Sequence, residues 1–204
     1  MVDKSRPLVG VLALQGDFAR HASSLKAAGA RVTRVVRPDD LEACQGLVIP
    51  GGESTTLMHL AREGGMVQPL RDFARRGALM GTCAGLIILA RNLAGTDMET
   101  LALLDIKAER NGFGRQVDSF IDRVDLHIGD QTQNVEGVFI RAPRILAVGQ
   151  GVSVLAKWRD EPVMVRSGRI LALTFHPELT GDARIHKYFV DQLVSGKETS
   201  AGAA

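Results

Sequence analysis

The feature that most constrains this chain is a glycine-flanked cysteine between two apolar runs. Residues 79–85 read Leu-Met-Gly-Thr-Cys-Ala-Gly, and a second apolar run, residues 86–90, follows them. This pattern predicts a strand that turns sharply into a helix, because the glycines permit a strained turn and a close helix–strand contact. The free N–H groups at the helix N-terminus favour a thiolate. Cys83 is therefore predicted to be a nucleophile, although a lone cysteine is more often a small buried hydrophobe.

A nucleophilic thiol needs a base, and one of the five histidines stands where a base is expected. His176 ends an apolar run, residues 169–175, that has the character of a buried central strand. Functional side chains of open α/β sheets gather at such strand ends. Pro177 keeps His176 extended, so Glu178, two residues further on, is expected to orient the imidazole. The other histidines are expected on the surface or on helices: His21, His59, His127 and His186.

A glycine turn supplies candidate donors for an oxyanion. The short apolar strand Val48–Ile49 ends in Pro-Gly-Gly, residues 50–52, and Ser54 is expected to cap the next helix. Glycine lets backbone N–H groups turn toward an anion. We expect the N–H groups of Gly52 and of Ala84, the residue after the nucleophile, to form the oxyanion hole.

Composition limits the classes of protein. The chain has 204 residues, 45% of them hydrophobic and 24% charged, which predicts one globular domain over residues 1–195. The tail, residues 196–204, is rich in small residues and is expected to be disordered. A net charge of +2 and an aromatic content of 4% argue against nucleic-acid binding.

The two cysteines, Cys44 and Cys83, form no disulfide framework and no zinc spacing. A catalytic thiol fits a reducing compartment, so a cytoplasmic location is expected. Leu8–Leu14 loosely imitates a signal peptide but lacks a cleavage site and is interpreted as the first strand. No apolar run has the length of a membrane span. The expected chemistry needs no metal and no cofactor.

The order of elements predicts the fold class. Up to about residue 100 strands and helices alternate, which indicates a parallel sheet covered on both faces. Beyond residue 116 an alternating strand and several short strands indicate antiparallel pairing. The prediction is a flavodoxin-like three-layer α/β sandwich with an antiparallel extension. Its predicted helices are Asp17–Ala28, Ser54–Arg62, Met66–Arg75 and Asp182–Val194.

These motifs carry a resemblance. The chain resembles the triad-type (class I) glutamine amidotransferases, and within them the glutaminase subunits of pyridoxal 5′-phosphate synthase. The narrower likeness rests on four strings in the family's order: residues 10–16 (GVLALQG), 50–56 (PGGESTT), 110–116 (RNGFGRQ) and 139–143 (FIRAP). Together with the cysteine turn and the His-Pro-Glu string, they are distributed over most of the chain, so the resemblance covers nearly all of its 204 residues.

The resemblance implies hydrolysis of L-glutamine by a Cys-His-Glu triad. It also implies glutamine binding at six positions: Gly52, Glu53, Ser54, Arg110, Ile140 and Arg141. From the chemistry alone, either Arg110 or Arg141 can take the substrate carboxylate as a planar fork. The motifs leave little chain for an ammonia acceptor site, so the ammonia must be used by a partner.

The partner implied by the resemblance is a synthase subunit, a (β/α)₈ barrel that builds pyridoxal phosphate from a pentose phosphate and a triose phosphate. The family implies a large mixed assembly with the barrels at its core, and a glutaminase that is weak until docked. Rearrangement of the 50–52 turn is one physical route to such gating. Gln15 and Gly16, at the end of the first strand, are candidates for the docking surface.

Three alternatives are weighed against this hypothesis. The first is the glutaminase subunit of another amidotransferase, such as imidazole glycerol phosphate synthase. The second is a non-catalytic partner that keeps the fold. The third, an α/β-hydrolase esterase, is disfavoured because its triad runs in the order Ser, acid, His.

Overall fold

The structure is a computed structural model of the chain, and it describes residues 5–112, 119–128 and 132–196. The strands in these residues are β1 (Leu8–Leu12), β2 (Arg31–Val35), β3 (Gly46–Ile49), β4 (Ala78–Thr82), β5 (Ala90–Ala94), β6 (Leu104–Glu109), β7 (Ser119–His127), β8 (Thr132–Ile140), β9 (Arg144–Val148), β10 (Ser153–Trp158), β11 (Glu161–Ser167) and β12 (Ile170–Leu173). The α-helices are α1 (Phe18–Ala27), α2 (Ser54–Glu63), α3 (Val67–Arg76), α4 (Ala84–Leu89) and α5 (Arg184–Tyr188), the last of which continues as a π-helix, Phe189–Val194.

The main sheet has nine strands in the order β2-β1-β3-β4-β12-β11-β10-β7-β8. Its first five strands are parallel. From β11 onward every neighbouring pair is antiparallel. A parallel sheet with an antiparallel extension is the predicted fold class, which is confirmed.

The two faces of the parallel sheet carry separate apolar cores, as the alternation of side chains along a strand requires. One face packs Val48 and Met80 against α1 and the C-terminal helix. The other face packs Leu47 and Leu79 against α2, α3 and α4. Helices therefore cover both faces of the sheet. The apolar strands β1, β3 and β4 are buried on both sides, which accounts for the three layers.

Three details differ from the sequence-based expectations. The apolar run 86–90 is not helical to its end, because Ala90 begins β5. That strand joins β6 and β9 in a second, three-stranded sheet, and neither β5 nor β6 was predicted. The final helix, predicted as regular from Asp182, begins at Arg184 and changes to π geometry at Phe189.

Two predicted features lie outside the described residues. These are residues 113–116 of the RNGFGRQ string and nearly all of the tail, since residues 197–204 are not described. In the described part of the chain, none of the helices has the length and apolar character needed to cross a bilayer.

The strand order brings the predicted functional residues to one edge. β4 lies between β3 and β12, with Ile49 beside Gly81 and Thr82 beside Leu173. The carboxyl ends of these three parallel strands therefore meet, and the residues after each of them become neighbours. Ligands of open α/β sheets bind at this edge.

Candidate active site

Cys83 occupies the strained turn between β4 and α4. Its backbone has φ 50° and ψ −104°, outside the regions that most side chains adopt. Its N–H donates to the carbonyl oxygen of Leu173 over 2.8 Å, which ties the turn to β12. A Cβ atom on Gly85 would lie 2.1 Å from the carbonyl oxygen of Ile49, so only glycine permits this approach of α4 to β3. The structure thus has the sharp strand-to-helix turn that the glycine pattern predicts.

His176 and Glu178 follow β12 and lie beside the cysteine. His176 Nδ1 is 2.7 Å from Glu178 Oε1, and both side chains are buried. The contact agrees with the expectation, but the backbone does not, because Pro177–Leu179 forms a 3₁₀ turn rather than an extended segment. The Cys83 side chain lies near enough to His176 to raise the pKa of the imidazole. With Nδ1 engaged by the carboxylate, Nε2 is the ring nitrogen left for the sulfur.

The surroundings of His176, between Cys83 and Glu178, favour the protonated form of its side chain, the imidazolium. Burial lowers the pKa of His176, but its interactions with Cys83 and Glu178 and their charges outweigh burial and raise that pKa to about 10. Burial raises the pKa of Glu178, yet the hydrogen bond with His176 is the largest of the effects that hold this pKa below its usual value. Glu178 is therefore a carboxylate at neutral pH, and it supports a positive charge next to the sulfur.

The turn after β3 forms one wall of the site. A Cβ atom on Gly51 would lie 2.4 Å from His176 Cε1, so the backbone there packs directly on the imidazole ring. The expectation that Ser54 caps α2 is wrong, because Glu53 is the N-cap and its carboxylate accepts from the N–H of Thr56 over 2.8 Å. Hydrogen bonds from Thr55 and Thr56 outweigh partial burial and lower the pKa of Glu53 to about 2.

These elements enclose a cavity of about 190 Å³. Eight of the residues named from the sequence line it, together with Ile87 and Asn111: Gly52, Glu53, Ser54, Cys83, Arg110, Ile140, Arg141 and His176. Two others stand behind this surface. Ala84 is the buried first residue of α4, directly after the nucleophile, and Glu178 is buried behind His176.

The antiparallel extension reaches back to complete the cavity. The N–H of His176 donates to the carbonyl oxygen of Val138 in β8 over 2.9 Å. The carbonyl oxygen of Ile140, two residues on, lies 3.8 Å from Cys83 Sγ. The next residue, Arg141, has φ 41° in the left-handed region and lines the cavity. The two halves of the sheet therefore contribute to one site.

The two arginines of the cavity differ in their partners. Arg110 Nη2 donates to Glu53 Oε1 over 2.8 Å, so this guanidinium is already paired with an acidic group. Among the described residues, no carboxylate lies within ion-pair distance of Arg141. Of the two alternatives left open by the sequence, Arg141 is the cation with free capacity for a substrate carboxylate.

Sequence reasoning missed two histidines near the site. His21 on α1 and His186 on α5 are helical, as one alternative had it, but both are fully buried rather than at the surface. His59 and His127 lie on α2 and β7. The available signal was helical spacing, since His21 stands four residues before the buried Leu25 and so lies on the buried face.

Within the described residues, no group of three or more His, Cys, Asp or Glu side chains is arranged to hold a metal ion.

Comparisons with known proteins agree with this geometry. The family model for the SNO glutamine amidotransferase family matches residues 11–195. The chain is 48% identical to the pyridoxal 5′-phosphate synthase subunit PdxT of Pelotomaculum thermopropionicum, over 95% of this chain and 99% of that protein. It is 49% identical to the same subunit of Thermus thermophilus, over 91% of this chain and 97% of that protein.

Solved structures give the same result. A structure described as a glutamine amidotransferase superposes with a TM-score of 0.86 at 46% identity, covering 92% of this chain and 98% of that one. PurLQS from Thermotoga maritima superposes with a TM-score of 0.66 at 16% identity, over 94% of this chain and 98% of that one, a likeness of fold alone.

Proposed function

Because this chain belongs to the SNO glutamine amidotransferase family, we infer that it is a glutaminase subunit that hydrolyses L-glutamine to L-glutamate and ammonia. The ammonia passes to a synthase that makes pyridoxal 5′-phosphate. The observation that carries the proposal is the line from Cys83 through His176 to Glu178 at the wall of one cavity, with the last contact at 2.7 Å. This is the arrangement of nucleophile, base and orienting acid that amide hydrolysis requires.

The reaction has two steps. The Cys83 thiolate attacks the side-chain carboxamide carbon, and the His176 imidazolium protonates the departing ammonia. His176, now neutral, then takes a proton from water, and the hydroxide breaks the thioester to release glutamate. Glu178 keeps Nδ1 of His176 occupied throughout, so that Nε2 serves both transfers.

The developing oxyanion is stabilised by the N–H groups of Gly52 and Ala84. Gly52 belongs to the cavity wall and Ala84 begins the helix after the nucleophile. Loss of one such donor typically raises the barrier by about 3–4 kcal/mol.

Substrate recognition uses the charges of the cavity. We assign the α-carboxylate of glutamine to Arg141, which has no ion-pair partner within the described residues. Arg110 and Glu53, bound to each other over 2.8 Å, form the polar wall beside it. The remaining binding positions, Ser54 and Ile140, lie on the same surface.

The partner is a synthase subunit of (β/α)₈ barrel form, and the two subunits build a large mixed assembly. Ammonia becomes ammonium in neutral water, so a sheltered route between the two subunits preserves the reactive form. A catalytic thiol works best in reducing surroundings, and we propose a cytoplasmic location on that ground.

Docking of the synthase can change the turn that carries the oxyanion donor Gly52, through the residues that follow β1. Gln15 Oε1 accepts from the N–H of Glu53 over 3.3 Å, which links the segment after β1 to the 50–53 turn. Gln15 is partly exposed. A partner that moves Gln15 would change the conformation of this turn, which is a physical route to activation on docking.

The test is ammonia release from glutamine by the purified chain, with and without its synthase. Cys83→Ala should abolish release and leave the fold intact. Cys44→Ala is the matched control, because Cys44 is the other cysteine and its thiol donates to the carbonyl oxygen of Asp40, away from the cavity. Turnover near the unsubstituted rate in Cys83→Ala would remove Cys83 from the mechanism.

A further inference from the structure

A cluster of buried polar side chains lies behind Glu178, on the side away from the cavity. Its members are His21 on α1, Thr82 at the end of β4 and His186 on α5, and all three have no solvent-exposed surface. None of them lines the cavity, and the two-step mechanism uses none of them. Burial of two imidazoles costs free energy unless their polar atoms are hydrogen-bonded. The presence of this buried cluster therefore needs an explanation.

The cluster makes a chain of contacts that ends at the triad. His186 Nε2 lies 3.1 Å from His21 Nδ1. His21 Nε2 lies 3.2 Å from Thr82 Oγ1 and 3.4 Å from Glu178 Oε2. Glu178 Oε2 has no hydrogen bond from any described residue. His21 Nε2 thus approaches the second oxygen of this carboxylate without a well-directed hydrogen bond, and its hydrogen-bond partner is Thr82.

Both histidines are neutral at physiological pH. Burial lowers the pKa of His21, and burial is the main cause that lowers the pKa of His186 to about 3. A neutral imidazole carries one N–H and one acceptor nitrogen. The positions of these two protons therefore decide which way the hydrogen bonds run.

The unbonded atoms fix these positions. His186 Nδ1 has no partner among the described residues, and a buried N–H without an acceptor is costly. The proton of His186 accordingly belongs on Nε2, where it is donated to His21 Nδ1. This leaves the proton of His21 on Nε2, which faces Thr82 and Glu178.

We propose that His21 is a positioning residue of the catalytic triad: its Nε2–H edge, 3.4 Å from the outer oxygen of Glu178, attracts that oxygen electrostatically, while His186 fixes the tautomer of His21. Held at Oε2, the Glu178 carboxylate keeps Oε1 on His176 Nδ1 through both proton transfers. His21 touches neither the substrate cavity nor the sulfur, so it acts on the rate through Glu178. This inference rests on the proposed glutaminase function.

The test compares two substitutions at one position, in the complex with the synthase. His21→Leu keeps apolar volume and removes the donor. His21→Gln keeps an amide N–H near the place of Nε2. We expect His21→Leu to lower kcat by about tenfold or more with KM within about twofold, because a favourable polar contact to a charged carboxylate is lost away from the substrate. His21→Gln should recover most of kcat, because it restores an N–H group, and neither variant can titrate.

The outcomes are decisive. A kcat of His21→Leu within twofold of the unsubstituted protein would overturn the proposal, as would an equal loss of kcat in His21→Leu and His21→Gln. If His21→Leu does not fold, the pair His186→Leu and His186→Gln decides in the same way, since only the second keeps a donor for His21 Nδ1. Absence of glutaminase activity in the unsubstituted complex would refute the proposed function instead.

Discussion

At the scale of single residues, the imidazole of His176 is fixed on three sides. Glu178 binds its Nδ1, Cys83 lies nearby, and the backbone of Gly51 packs against Cε1. The ring therefore has little room to change its orientation, which suits a group that must give and take a proton at one position.

This confinement predicts that Gly51→Ala lowers kcat. The added methyl group would stand 2.4 Å from His176 Cε1 and would push the ring away from the sulfur. We expect a loss of about a hundredfold, the effect of a misplacement of about 1 Å. Gly181→Ala is the control, because a Cβ atom there meets nothing within 4 Å. Steady-state ammonia release measures both variants, and equal activity in the two would contradict the packing argument.

The raised pKa of His176 predicts a pH dependence of stability. A histidine whose pKa rises from 6.5 to about 10 on folding stabilises the folded state fully below pH 6.5, and this contribution disappears as the pH rises through 10. The difference in free energy of unfolding between the unsubstituted protein and His176→Asn should therefore shrink over this range. Denaturant titrations at several pH values would measure it. A difference that stays constant or grows would refute the ion-pair description.

The triad residues could be named from the sequence because their motifs are local, whereas the glutamine-binding positions Arg110, Ile140 and Arg141 were named through the family resemblance. Glycines around Cys83 and the His-Pro-Glu string need only a few neighbouring letters to be recognised. His21 and His186 could not be placed beside Glu178 in this way. Their contact depends on how α1 and the C-terminal helix pack on the same face of the sheet, and no short string records that packing.

At the scale of elements, α1 begins at a side-chain cap that the sequence analysis placed inside the helix. The Asp17 side chain accepts from the N–H of Arg20, and its carboxylate lies 3.1 Å from that nitrogen. The cap matters beyond α1 itself, because this helix carries His21 into the cluster behind Glu178.

We predict that Asp17→Ala destabilises the protein by about 1 kcal/mol, the typical cost of losing an N-cap. Asp97→Ala is the matched control, since Asp97 is an exposed acidic residue outside the helices. Thermal or denaturant unfolding would give both values. An equal effect of the two substitutions would show that removal of negative charge, not loss of the cap, is responsible.

The elements that sequence reasoning recovered are those buried on both faces of the sheet. β1, β3 and β4 are continuous apolar runs, and their type follows from that alone. β5 lacks an alternating pattern, and it is a strand because it finds a partner in the second sheet, a tertiary effect that overrides local preference. β6 alternates apolar and polar residues from Leu104 to Glu109 and buries its apolar face, a signal that the sequence analysis overlooked.

At the scale of the whole molecule, the chain produces ammonia for another subunit. Glutamine hydrolysis by this chain and product formation by the synthase should therefore be separable. A complex that contains Cys83→Ala should make no product from glutamine, yet should make it when an ammonium salt is supplied, because only the ammonia source is lost. Product formation with each nitrogen source is the measurement. Failure with the ammonium salt as well would mean that Cys83 also supports the assembly or the synthase.

The distribution of the triad along the chain has a consequence for the cooperativity of folding. Cys83 stands in the first half, whereas His176 follows β12 and is held there by Val138 of the edge strand. The turn around the sulfur is itself tied to Leu173 of β12. The nucleophile and its base therefore become a working pair only through the insertion of β12 between β4 and β11.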